Sequence, residues 1–312
     1  KFREENGWYL GRGANDNKAG LTGILIALQY LKAQGFQPTR DLIVLFTGDE
    51  ETMGNGARRA ATEWRSLIDA EYGLNSDAGG GSVYKDGRPE LFAMQIAEKT
   101  YADFALTVTD PGGHSSRPTP GNAIYRLGRG LERLSAYRFP TLQNEITKAS
   151  LAAAAQNTPG PVGEALKRFA ADPTDQAAIE TLSAEPAWNP SLRTTCVATM
   201  ITGGHATNAL PQKATANVNC RIFPGTPSES VRQTLEQVVA DKTITVTRQD
   251  DGSIDSPASP LRADVIAAVT KAVHARFPGL AIVPAQSSGA TDSMYFRAAG
   301  VPSYGVSGLF MK

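Results

Sequence analysis

Two cysteines, Cys196 and Cys220, are the only thiols in 312 residues, too few for a disulfide framework or a zinc-thiolate centre. An excess of charge is also lacking. Lys plus Arg and Asp plus Glu number 31 each, which removes any general electrostatic case for nucleic acid or anionic membrane as a partner. No apolar run approaches the length of a membrane span, and internal repeats and low-complexity linkers are missing too. What is present, with 41% hydrophobic residues, is the composition of a globular protein of one large domain or two ordinary ones.

The chain opens on KFREENGWYLGRG, without a methionine or leader, and closes on YGVSGLFMK just after a strand. Both ends read as cut. The expectation is part of a longer chain whose compartment is not legible.

Residues 18–34 place Leu21, Ile24, Leu25, Leu28 and Leu31 at helical spacing. GFQPTR ends that helix, and DLIVLFTG predicts a short buried strand. GARRAATEWRSLI fits a second helix, and EYGLNSDAGGG another strand running into a glycine loop. This alternation predicts an α/β domain with a mainly parallel sheet.

Near residue 100 the pattern changes. YADFALTVTD alternates as a strand, NAIYRLGRGLERLSAY is an amphipathic helix, and the Ala-rich stretch 145–185 reads as helical and peripheral. RTTCVATMITGG and TANVNCRIFPG are strands flanking a loop, followed by the helix SESVRQTLEQVVAD and the strand TITVTRQ. Adjacent strands with two helices predict an α+β unit inserted over 101–250. The α/β domain is then discontinuous, over 1–100 and 251–312, and completed by LAIVPAQSSGATDSMYF. Cys196 and Cys220 lie symmetrically about the loop between two strands and would be cross-strand neighbours in a simple hairpin. Reduced thiols are the default expectation.

GDEETMG, residues 48–54, sets Asp49, Glu50 and Glu51 side by side after an apolar run. One reading is a helix N-terminus, where acids complement the dipole. The other is a metal site, where one carboxylate binds a cation and its neighbour handles a proton. Asp16 in GRGANDNKAG and Asp77 in NSDAGGG also fall at strand ends or in glycine-rich loops, where ligands bind in an open α/β sheet. Sequentially distant carboxylates gathered in one crevice repel unless cations lie between them. A bridging and a terminal carboxylate per metal is an ordinary two-metal arrangement, and carboxylate with imidazole suits zinc, or cobalt and manganese less selectively. Asp16 could instead cap the following helix. A nucleotide-binding reading of GRGAND is poor, because Asp16 replaces the third glycine of that fingerprint.

In order along the chain, GRGANDNKAG, LFTGDEETMG, NSDAGGG, GGHSSRP and GGHATNALP…NCRIFPG resemble the successive motifs of the M20 metallopeptidases, which include carboxypeptidase S, glutamate carboxypeptidase, PepV-type dipeptidases and aminoacylase. The resemblance runs to about Phe296. It implies a zinc-exopeptidase-like catalytic domain with an inserted lid and dimerisation domain. It implies that Asp16 bridges two zinc ions, that Glu51 and Asp77 each bind one, and that Glu50 is the general base. By the same resemblance His114 reaches across a dimer interface to polarise the scissile carbonyl, and Asn208 contacts the substrate. Arg221 would pair with the substrate's carboxylate, and Gly289, Ala290 and Thr291 would receive its tail through backbone amides. Apart from the resemblance, His114 reads as a solvated loop histidine and Arg221 as a salt-bridged strand residue. The family also uses two metal-binding histidines; the three histidines here, His114, His205 and His274, stand in neither setting.

The implied function is metal-dependent hydrolysis of the peptide bond of short peptides, as a dipeptidase or carboxypeptidase. The alternatives are an N-acyl-amino-acid amidohydrolase of the aminoacylase or desuccinylase type, and a catalytically silent binding protein on the same fold. Aspartate at position 77 points toward dipeptidases and aminopeptidases, whereas DAGGG as a whole is closer to carboxypeptidase S.

Overall fold

The computed structural model describes residues 2–311. They form two compact units: one from the chain up to Ala97, Ala258–Ser287 and Thr291 onward, the other from Glu98–Pro257 with Ser288–Ala290.

The first unit opens with a hairpin, β1 (Arg3–Glu5) and β2 (Trp8–Leu10), turned by Asn6 and Gly7, both at positive φ as a two-residue hairpin turn of this kind requires. A π-helical turn over Ala14–Lys18 leads into α1 (Ala19–Ala33). Asn17 Oδ1 accepts from Gly20 N at 3.0 Å, satisfying one of the free donors at the start of α1. A Cβ at Gly20 would collide with Ser76 Oγ, so glycine is what lets α1 approach the segment after β3 (Gly73–Asn75). α1 buries none of its side chains.

The apolar stretch 41–47 does not form the buried strand that its composition predicts. It has no ladder, and Leu42, Ile43, Val44, Leu45 and Phe46 stay 39–54% exposed. β-Branched composition makes a segment able to pair, but a strand exists only through hydrogen bonds to a neighbour. Among the described residues none pairs with 41–47. α2 (Asn55–Thr62) follows, burying Ala57, Ala60 and Ala61. It is shorter than predicted, because Glu63 N and Trp64 N both donate to Arg59 O and a 3-10 turn begins at Arg65. β4 (Gly80–Val83) and β5 (Pro89–Glu98) come after β3.

The second unit contains β6 (Thr100–Thr109), the short β7 (Gly113–His114), α3 (Ala123–Ala136), α4 (Glu145–Asn157), α5 (Gly160–Ala171), α6 (Gln176–Ser183) and α7 (Asn189–Leu192). β8 (Thr195–Gly203), β9 (Ala209–Leu210), β10 (Lys213–Ile222), α8 (Ser228–Val239) and β11 (Ile244–Arg248) complete it. Its main sheet is antiparallel in the order β11-β6-β10-β8. Alternate residues explain the packing. Ala102, Phe104, Leu106 and Val108 point to one face and, with Val218 of β10, are buried against Leu127 of α3 and Leu235 of α8. The Ala-rich stretch builds a second core around Leu151, Leu166, Phe169 and Leu182.

The β8–β10 register sets Cys196 opposite Cys220, and the two are joined in a disulfide. This corrects the default of reduced thiols: the ladder brings into contact two side chains that their low number alone gave no reason to pair.

The chain returns to the first unit with α9 (Ala263–Arg276), β12 (Ile282–Ser287), α10 (Ser293–Ala298), β13 (Ser303–Gly305) and β14 (Phe310–Met311). The sheet order is β14-β4-β5-β13-β3, with β12 also pairing β5. β13 runs parallel to β3 and β14 parallel to β4, while β5 is antiparallel to β4 and β13. The fold is α/β with a mixed sheet, its core formed by Met94 and Ile96 of β5 and Tyr304 of β13.

Candidate active site

Three acidic loops of the first unit meet at one place, and local hydrogen bonds explain why. In GDEETMG, Asp49 takes the structural part. Both its carboxylate oxygens accept from Gly56 N at 3.1 Å, holding the start of α2, and its carbonyl accepts from Thr52 N and Gly54 N. Glu50 and Glu51 are left with their carboxyl groups for other work. The dipole reading therefore applies to Asp49.

The segment carrying Asp77 is shaped by an Asx turn, with Asp77 N donating to Asn75 Oδ1 at 2.8 Å. Asn75 Nδ2 donates to Ser293 Oγ at 3.0 Å. Thr47 Oγ1 donates to Asp292 Oδ2 at 2.7 Å, so the loop before Glu50 and the loop before Asp77 are both fastened to residues 292–293. Asn17 Nδ2 reaches Ser76 Oγ at 3.4 Å, which draws the Asp16 turn to the same segment.

The electrostatics register the convergence. The Glu50 carboxyl is pushed up to about 7 by burial, then by the charges of Asp77, Asp292, Glu51 and Asp16. Asp77 is pushed up to about 6, by burial and then by the charge and the hydrogen bond of Asp16, against an opposing hydrogen bond from Asn17. Asp292 is also raised, mainly by burial and further by Asp49, with the Thr47 bond working the other way. Carboxylates respond in this way to one another when no cation separates them.

Asp16, Glu51 and Asp77 thus all act on Glu50, and Asp16 acts on Asp77. Asp292 is a fifth member that the sequence reading missed. Its only signal was an acid in the loop after β12, the same kind of position as Glu50 and Asp77.

The charge of this cluster fits a divalent cation, and carboxylate oxygens are suitable donors. The ligand set is not closed, however. Among the described residues no three His, Cys, Asp or Glu side chains stand close enough together to hold an ion as they lie. No histidine enters the cluster's electrostatics; His274 on α9 bonds through Nε2 to Leu280 O at 2.9 Å.

The remaining predicted residues belong mainly to the second unit. β7 pairs with β9, setting His114 opposite Ala209, and Ser115 N donates to Asn208 O at 2.9 Å. His114 and Asn208 are therefore neighbours, both exposed. His114 Nδ1 accepts from Ser116 N at 3.2 Å and lies 2.8 Å from Ser116 Oγ. An accepting Nδ1 puts the proton of the neutral ring on Nε2, which then faces outward as a donor. Arg221 on β10 donates to Ser288 O at 3.4 Å, which brings it beside Gly289 and Ala290. Thr291 is buried and its hydroxyl accepts from Ser293 N at 3.1 Å.

The family model for Peptidase family M20/M25/M40 matches residues 1–311. The chain belongs to this family. Among relatives of this M20 chain, human N-fatty-acyl-amino acid synthase/hydrolase PM20D1 is 28% identical over 303 residues, 94% of this chain and 59% of that protein. Probable carboxypeptidase S-like 2 of Dictyostelium discoideum is 24% identical over 301 residues, 92% of this chain and 56% of that protein. The chain thus spans less than two thirds of the curated relatives it matches. The M20 family metallo-carboxypeptidase Sso-CP2 from Sulfolobus solfataricus shares the fold, with a TM-score of 0.64 at 16% identity over 97% of this chain and 70% of that one.

Proposed function

We propose that the protein is a metal-dependent exopeptidase that hydrolyses the peptide bond of short peptides. The observation that carries this reading is the gathering of four other acids, Asp77, Asp292, Glu51 and Asp16, around the half-buried Glu50 carboxyl. Such a cluster suits divalent cations, with one carboxylate left over to accept and return a proton.

Asp16, Glu51 and Asp77 are the groups that would hold the metal, with Asp16 shared between two ions. A divalent cation, zinc with cobalt or manganese as substitutes, would supply Lewis-acid polarisation of the scissile carbonyl and an acidified water. Glu50 then takes a proton from the attacking water and delivers it to the leaving amine. His114, protonated on Nε2, donates to the carbonyl oxygen as charge develops there. Arg221 receives the substrate's free carboxylate, with Asn208 and the Gly289–Thr291 backbone holding the rest of the substrate.

A second reading has the same chemistry with another substrate class. The named activity of PM20D1 favours hydrolysis of an N-acyl amino acid, whose carboxylate stands beside the leaving amine just as a dipeptide's does. Turnover of a dipeptide panel against a panel of N-acyl amino acids, on full-length protein with added zinc, tests the proposal. Hydrolysis of the dipeptides supports the exopeptidase. Turnover of the acyl panel alone transfers the function to the second reading, and no turnover of either leaves a binding protein.

The second unit would act as lid and homodimer surface. β8 is an edge strand with Val197, Met200 and Ile201 61–67% exposed, an apolar edge of the kind that pairs with another chain.

A further inference from the structure

On the face of the second unit's sheet opposite its core, one chain of contacts ends on Arg221. Tyr101 on β6 stands directly opposite Arg221 on β10, and the guanidinium carbon lies 4.6 Å from the centre of the Tyr101 ring. The Tyr101 hydroxyl donates to Asp103 Oδ2 at 2.7 Å. Asp103 is itself fixed, with Oδ1 accepting from Asn217 Nδ2 at 2.8 Å and Asn219 Nδ2 at 2.9 Å. Asn217 Nδ2 continues to Thr199 Oγ1 on β8 at 3.0 Å, so three strands hold one carboxylate.

Partial burial of Asp103 works against its charge, but the bonds from Asn219, Asn217 and Tyr101 outweigh it and hold the carboxyl below its ordinary value. A phenol donating to a carboxylate gains electron density in its ring, which strengthens attraction for a cation over the face. Arg221 makes no direct ion pair: its direct contacts are the ring and the Ser288 carbonyl, while the Asp103 carboxylate acts on it only through space. A guanidinium steadied on one face, with N–H donors not taken up by a carboxylate, is suited to two parallel N–H bonds with a substrate carboxylate.

We propose that Tyr101, anchored by Asp103, is the positioning residue that orients Arg221 and so sets preference for substrates with a free carboxylate. This rests on the reading that Arg221 receives that carboxylate. The test uses zinc-loaded full-length protein carrying Glu50→Gln, which allows binding to be read without turnover. Calorimetry compares N-acetyl-L-leucine with N-acetyl-L-leucinamide, which lacks the charge. Tyr101→Leu is expected to weaken the acid about tenfold and the amide less than about twofold. Tyr101→Phe, which keeps the ring and loses the anchor, is expected to weaken the acid about threefold with the amide unchanged, as is Asp103→Asn.

If Arg221→Met leaves the preference for the acid intact, or if the parent protein shows none, the Arg221 reading fails and the proposal with it. If Arg221→Met abolishes the preference but Tyr101→Leu does not reduce it, that reading stands and the proposal is overturned. Equal weakening of both ligands by Tyr101→Leu, or Tyr101→Phe as damaging as Tyr101→Leu, also overturns it. Should Tyr101→Leu fail to fold, the comparison of Tyr101→Phe with Asp103→Asn decides: equal losses, confined to the acid, support the anchor, and no loss in either overturns it.

Discussion

Thr47 Oγ1 and Asp292 Oδ2 lie 2.7 Å apart, and this bond ties the loop that carries Glu50 to the loop before α10. Asn75 makes the matching tie from the Asp77 segment to Ser293, so the convergence of two acidic loops depends on one anchor. Thr47→Val is expected to lower unfolding free energy by about 1–3 kcal/mol, since it leaves a mostly buried carboxylate oxygen without its donor. Denaturant unfolding measures this. Asp292→Asn removes a negative neighbour and is expected to move the Glu50 midpoint below about 7, read by carboxyl NMR of metal-free protein.

Metal-free protein is expected to lose stability as pH rises. Folding raises Glu50 from 4.5 to about 7 and Asp77 from 3.8 to about 6, so between these values the folded chain binds more protons than the unfolded one. Stability is then full below about 4 and falls as pH climbs through 6 and 7. Melting temperature in chelator at pH 5 and pH 7.5 checks the sign. Glu50→Gln should flatten the slope.

Reduction of the Cys196–Cys220 bond, or Cys196→Ser with Cys220→Ser, is expected to cost about 3 kcal/mol. The loop-entropy account gives that size for a separation of 24 residues. Melting with and without reductant measures it, and an unchanged midpoint would contradict it.

Local chemistry was the legible part of this chain. The acidic loops at Asp16, GDEETMG and NSDAGGG were readable because residue types at short spacing mark them, whereas the hydrogen bonds that shape them, Asp77 N to Asn75 Oδ1 and Gly56 N to Asp49, came only with the structure. The alternating faces of β6 and β10 were readable for the same reason. Pairing was not legible in the same way. The 41–47 stretch has a strand's composition yet stays unpaired, and the Cys196–Cys220 contact depends on a register fixed only by the whole ladder. Asp292 escaped notice because one acid in a loop has no period, and its burial is a tertiary property.

The homodimer and delivery of His114 to a neighbouring subunit can be tested by mixing. His114→Ala and Glu50→Gln subunits, each expected to be nearly inactive alone, should regain partial activity when mixed if the histidine acts across the interface. Full activity of a monomer at nanomolar concentration, by sedimentation and assay together, would contradict this.

The central claim is that Glu50 moves the proton while its neighbours hold the metal. The most direct measurement is turnover and zinc content of full-length Glu50→Gln beside the parent protein. The amide keeps the shape but cannot accept a proton, so turnover should fall about a hundredfold or more with zinc content unchanged. Retained turnover would contradict the account, and so would loss of zinc in step with activity, which would make Glu50 a ligand instead of the base.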